Sequence, residues 1–158
     1  MDKEDIDYEQ LMYLLDAVLT KTESLHTPSS DFGTGIPIYR KEIHTLQAIG
    51  RHPKINVTAL SEHMGVTKGA ISQTVAKLIK KGMVRKQYAQ GSKKEVILEL
   101  TDLGWTGFHN HEEFHMDMLN IAREYFGKQF KKKIGMFKTV MTDFNTILDK
   151  YEISKRTT

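Results

Sequence analysis

Five side chains able to hold a metal ion fall within seven residues: His109, His111, Glu112, Glu113 and His115. Imidazole nitrogens and carboxylate oxygens are ligands that zinc accepts. His111 and His115 are four residues apart, so on a helix they present two imidazoles on one face. Counting about 100° per residue from Phe108 puts both on the stripe of Phe108, Leu119, Ala122 and Phe126, so they are expected to face inward. The alternative reading of such a pair is two partly buried histidines hydrogen-bonded to backbone or carboxylate.

A second chemistry lies in the charge. From His63 to Lys94 the chain carries eight basic side chains (Lys68, Lys77, Lys80, Lys81, Arg85, Lys86, Lys93, Lys94) and no acidic one, within a total net charge of only +3. A local field of this kind is the footprint of a protein that meets phosphates. Inside the block, Thr67, Lys68, Gly69, Ser72, Gln73, Ala76 and Lys77 share one face of a helix. They offer cations for phosphates, a hydroxyl and an amide for base edges, and small residues for close approach.

These residues need elements to hold them. Leu11, Leu14, Leu15, Val18 and Leu25 have the spacing of one helix face within 5–26, and the Pro- and Gly-rich stretch up to Pro37 is a loop. Its Gly33-Thr34-Gly35 is read as a turn, not a phosphate cradle. A second helix is expected from Tyr39 to Gly50 with Ile43, Leu46 and Ile49 inward. A short third helix, which Thr58 can cap, ends at Gly65, and a fourth, capped by Thr67, buries Ile71, Val75, Leu78 and Ile79 before Gly82. The three-residue turn Gly65-Val66-Thr67 makes the pair a helix-turn-helix. Period-2 patterning at Met83, Val84 and Tyr88, then at Val96, Leu98 and Leu100, predicts a hairpin, or wing, with Lys93 and Lys94 at its tip. A long helix should run from Thr101 to Phe126. A last one, about Lys128 to Ile153, carries Phe130, Ile134, Phe137, Met141, Phe144, Leu148 and Tyr151 as an a/d-like seam.

The fold expected is therefore mainly α with a small β-hairpin wing, a single domain over 1–158. In it 38–101 form a winged helix-turn-helix, 5–37 and 102–153 a helical dimerisation region, and 154–158 a frayed tail. A helix for the major groove and a basic hairpin tip for the minor groove make a complete reader of double-stranded DNA. Obligate homodimerisation is expected because the apolar residues of the outer helices exceed what one winged helix can cover. The absence of cysteine removes disulfides, thiolate metal sites and cysteine nucleophiles. No Gly-x-Ser-x-Gly, His-Glu-x-x-His or P-loop occurs, so no enzyme is expected. The longest apolar run is Leu11–Leu15 and the first residues are acidic, which predicts a cytoplasmic protein with no membrane partner. A winged helix that binds protein as an adaptor is the other class; it would not be retained on heparin or nonspecific DNA at low salt.

In order and spacing the chain resembles the MarR family of transcriptional regulators. The residues that carry the likeness are Asn56-Val57-Thr58-Ala59-Leu60-Ser61, Gly65-Val66-Thr67-Lys68-Gly69-Ala70-Ile71-Ser72, Lys80-Lys81-Gly82-Met83-Val84 and Leu98-Glu99-Leu100-Thr101-Asp102-Leu103-Gly104. The resemblance implies a homodimer whose two winged helices read a palindromic operator, as a repressor, under control of an effector. Where the family's wing usually has Asp-x-Arg, this chain has Ser92-Lys93-Lys94; lysine keeps the charge but loses the planar fork that enters a minor groove. The zinc-sensing branch takes one histidine from the second helix and a His-x-x-x-His pair ten and fourteen residues after the Thr of Leu-Thr-Asp-Leu. His44, His111 and His115 match, with His26 or Glu23 near the fourth position. Ligands of that branch's second site would fall on Ile43 and Asn110, which argues against a second ion. Many members instead bind a small aromatic or lipophilic ligand, for which Met12, Trp105, Phe108 and Phe114 are the candidate lining.

Overall fold

The computed structural model describes residues 3–25, 30–88 and 95–156. Six helices and one hairpin follow in the order α1 (Lys3–Leu25), α2 (Arg40–Arg51), α3 (Val57–Met64), α4 (Lys68–Lys80), β1 (Val84–Tyr88), β2 (Val96–Leu100), α5 (Asp102–Phe126) and α6 (Phe130–Arg156). One 3-10 turn, Gly127–Gln129, joins the last two, with Gly127 at φ +50°. The chain forms two compact units, 1–112 and 113–158, which divide within α5. Residues 154–156, expected to fray, continue α6.

The core lies in the first unit and is aliphatic. Ile43, Leu46 and Ile49 of α2, Leu60 of α3, Ile71, Val75 and Leu78 of α4, and Leu98 and Leu100 of β2 bury together with Ile38, Ile55, Met83 and Val84. Each fully buried side chain of this size contributes roughly 1.5–3 kcal/mol relative to exposure. The helix-turn-helix is set by its ends. The cap of α3 is not Thr58 but Asn56, whose side chain accepts from the Ala59 N–H at 2.9 Å; an Asn in extended backbone directly before the helix is the better placed of the two. Both α3 and α4 close with a glycine in the left-handed region, Gly65 at +63° and Gly82 at +72°. In each, the next residue's N–H reaches back five positions: Val66 to Ser61 at 3.1 Å and Met83 to Leu78 at 2.9 Å.

The wing is a two-stranded antiparallel sheet in register Val84↔Leu100 to Tyr88↔Val96. β2 is also tied to the α2–α3 connection, where the Leu98 N–H donates to the Ile55 carbonyl at 2.9 Å. Ile97 is buried as well as Leu98, so β2 is covered on both faces where alternation suggested one. The start of α5 is locked to the hairpin. The Thr101 hydroxyl donates to the Gly82 carbonyl at 2.6 Å and accepts from the Gly104 N–H at 3.1 Å. A Cβ on Gly104 would lie 2.1 Å from the Met83 carbonyl oxygen, so no other residue fits there.

Candidate nucleic-acid interface

Burial of Ile71, Val75 and Leu78 decides what α4 shows to solvent. Lys68, Gly69, Ser72, Gln73, Ala76 and Lys77 are all exposed on the opposite side, along about 14 Å of helix at 1.5 Å per residue. The first turn of α4 holds no acidic side chain, leaving the positive end of the helix dipole open to a phosphate. Thr67 is exposed, and its hydroxyl accepts from the Ala70 N–H at 3.3 Å; as the cap it can still donate outward. No atom lies within 4 Å of where a Cβ on Gly69 would be, so nothing within the described structure requires glycine there.

The basic block does not act as one. Lys81 is turned inward: its Nζ sits 2.5 Å from Glu42 Oε2, donates to the Pro37 carbonyl at 2.7 Å and lies over the Tyr39 ring. Arg85 pairs across the hairpin with Glu99 at 3.0 Å, its direct register partner. Among the described residues no carboxylate pairs with Lys68, Lys77, Lys80 or Lys86, and these four are exposed. Lys93 and Lys94 lie outside the described residues. The Lys81–Glu42 contact was missed in the sequence because its partners are 39 residues apart. The signal available was the position of Lys81 at the C-cap of α4, where a side chain turns back onto the fold.

The histidines separate. His111 is fully buried on α5, with its ring 5.5 Å from that of half-buried His44 on α2 and edge-on to Phe32 at 5.0 Å. The next residue, Glu112, accepts from Gln47 Nε2 at 2.7 Å and is paired with Arg51, so α2 turns His44, Gln47 and Arg51 toward α5. His115, expected to face inward with His111, is exposed and belongs to the second unit. Of the stripe it shares, Leu119, Ala122 and Phe126 are half-buried. His26 lies outside the described residues. Among the described residues no three His, Asp or Glu side chains gather as a metal cluster. Of the residues named for an organic ligand, Trp105 is edge-on to Phe108 at 5.1 Å and stacks on His109, and Phe108 fills the space over Gly50. A cavity of about 310 Å³ opens instead between α2, α3 and α4, lined by His44, Thr45, Met64, Val66, Ala70 and Ile71 among others.

A buried aliphatic core, a glycine-closed helix pair with an exposed polar face and a two-stranded hairpin define a winged helix-turn-helix. A family model described as "MarR family" matches residues 37–95, the segment that holds these elements. Over that segment the chain is similar to the MarR family of DNA-binding transcriptional regulators, and the relatives it matches are transcriptional regulators. It is 26% identical over 125 residues to the HTH-type transcriptional regulator YhjH of Bacillus subtilis, covering 79% of this chain and 71% of that one. In fold it is similar to Streptococcus pneumoniae FabT, solved in complex with DNA (TM-score 0.72, 24% identity, 93% of this chain and 99% of that one). It is similar also to ZitR of Lactococcus lactis, a zinc-responsive MarR family member (TM-score 0.64, 18% identity, 86% and 96%). No helix among the described residues is long and apolar enough to cross a membrane.

Proposed function

We propose that the chain is a homodimeric repressor that reads a pseudo-palindromic operator of roughly 15–20 base pairs and takes zinc as its effector. The exposed polar face of α4 carries the DNA reading: Lys68 and Lys77 pair with phosphates, and Ser72 and Gln73 meet base edges. Lys93 and Lys94 are the wing's phosphate contacts in this reading. Dimerisation is supported by large apolar side chains left exposed on α1 (Leu11, Leu14, Val18) and α6 (Ile134, Phe137, Leu148, Tyr151). Apolar side chains exposed in such number mark a surface for association.

The metal reading rests on His44 and His111, whose rings two different helices bring to 5.5 Å, and on the fold shared with a zinc-responsive regulator. Neutral imidazoles are ligands that zinc accepts, so the two residues fit that ion. His115, with His26 or Glu23, would complete the set. When bound, zinc would supply a link between α2 and α5. His44 then fixes α2, and α2 holds the end of α4 through Glu42 and Lys81, so DNA affinity changes as far as the ion prefers one placement of α4. Zinc titrated into metal-free protein should bind once per subunit and shift operator affinity, with both effects lost in His111→Ala. Because imidazole ligates when neutral, binding should weaken below about pH 6.5. Operator affinity that stays constant across zinc concentrations would remove the metal from this proposal. The weight would then move to an organic effector, which the 310 Å³ cavity beside α4 favours by its lining of Met64, Val66, Ala70 and Ile71.

A further inference from the structure

Two other histidines meet on the surface of the winged helix. His52 caps the C-terminal end of α2 and His63 lies in the last turn of α3, eleven residues later. Their ring centroids are 4.3 Å apart with the planes at 62°, and both side chains are exposed. Both backbones are held. The His52 N–H donates to the Ala48 carbonyl at 3.1 Å and its carbonyl accepts from the Ile55 N–H at 3.1 Å, while His63 sits between the Asn56 cap and the Gly65 turn.

We propose that His52 and His63 form a two-imidazole site for a divalent transition-metal ion, with copper(II) bound most tightly. Imidazole suits copper, nickel and zinc, and for a given nitrogen site copper(II) stands at the top of the first-row order. Metal–nitrogen bonds of about 2.0–2.1 Å require the two nitrogens to come within about 4 Å of each other. Rings centred 4.3 Å apart reach that span by rotation about χ2, a broad torsion in histidine. Two ligands come from the protein and water fills the other positions, so the site is open and exchangeable. It shares no residue with His44 and His111 and does not depend on the zinc reading. A bound ion joins the end of α2 to the end of α3, directly before the Gly65–Thr67 turn that leads into α4, and stiffens the entry to the recognition helix.

The test is a copper(II) titration of tag-free, metal-free full-length protein, of His52→Gln, of His63→Gln and of the double variant, each repeated in a His111→Ala background that removes the proposed zinc site. Stoichiometry and the nitrogen hyperfine pattern of the copper signal are the readouts. Each single variant should lose one equivalent and the two-nitrogen signal, the double variant should lose no more, and the same loss should recur in the His111→Ala background. Both substituted positions are exposed, and matching circular dichroism spectra confirm that the variants fold; should one fail, the other carries the comparison. Unchanged copper stoichiometry in the single variants would overturn the proposal, and so would a loss that does not recur in the His111→Ala background. Copper should also raise the unfolding midpoint of the parent protein above that of His52→Gln; equal midpoints would count against the clamp.

Discussion

Lys81→Ala separates the structural part of the basic block from the part that meets DNA. The Glu42 side chain is 5% exposed and that of Lys81 20%, and the ammonium supplies the carboxylate's cation as well as a bond to the Pro37 carbonyl. Removing one partner of a buried pair costs about 3–5 kcal/mol, because the remaining charge stays desolvated. The Glu42 carboxylate keeps its bond from the Tyr39 N–H at 2.9 Å, so the lower figure applies. About 3 kcal/mol is roughly two decades in the folding equilibrium and a fall of about 6–12 °C in Tm for a chain of this size. Urea unfolding at fixed protein concentration measures it, with Lys81→Met, Glu42→Gln and the double variant closing a cycle. Lys68→Ala is the contrast: stability within about 0.5 kcal/mol of the parent and a salt slope of DNA binding reduced by about one. If Lys81→Ala kept its stability and lost salt slope as Lys68→Ala does, the inward role of Lys81 would be wrong.

Gly69→Ala should leave the unfolding free energy unchanged or raise it by up to about 1 kcal/mol, since open space surrounds the position, yet weaken operator binding in a mobility-shift assay. Gly104→Ala meets the Met83 carbonyl oxygen and should destabilise by several kcal/mol, on the order of other overpacked or strained sites, read by thermal unfolding. Phe137→Asp, on the exposed seam of α6, should give aggregate or unfolded chain; a stable monomer in equilibrium sedimentation would count against obligate dimerisation. Gln73→Ala should relax sequence preference, whereas Lys93→Ala with Lys94→Ala should weaken binding to all sequences alike.

Local signals carried far in this chain. The spacing of Ile71, Val75 and Leu78 and the glycines at 65 and 82 were enough to place α4, its cap at Thr67 and its exposed face, because helix period and left-handed closure are properties of neighbouring residues. What depended on distant partners was hidden. Lys81 and Arg85 read as part of a phosphate-binding block, and only the fold reveals Glu42 and Glu99 beside them. His115 followed from the same angular counting that rightly buried His111, but a stripe on a helix says nothing about where its covering surface stops. Ile97 escaped for a related reason: period-2 reading assumes one wet face, and β2 has none at that point.

The three outward directions of α2 have a mechanical consequence. His44, Gln47 and Arg51 grip α5, Ile43, Leu46 and Ile49 seat in the core, and Glu42 holds the end of α4 through Lys81. A side chain at the rim of a helix stands about 5–6 Å from its axis, so a roll of α2 by ten degrees would carry the Glu42 carboxylate sideways by about 1 Å. An ion pair closed at 2.5 Å cannot follow that without opening or dragging its partner along. A roll of α2 imposed from the α5 side would therefore reach, through that one ion pair, the C-terminal end of α4.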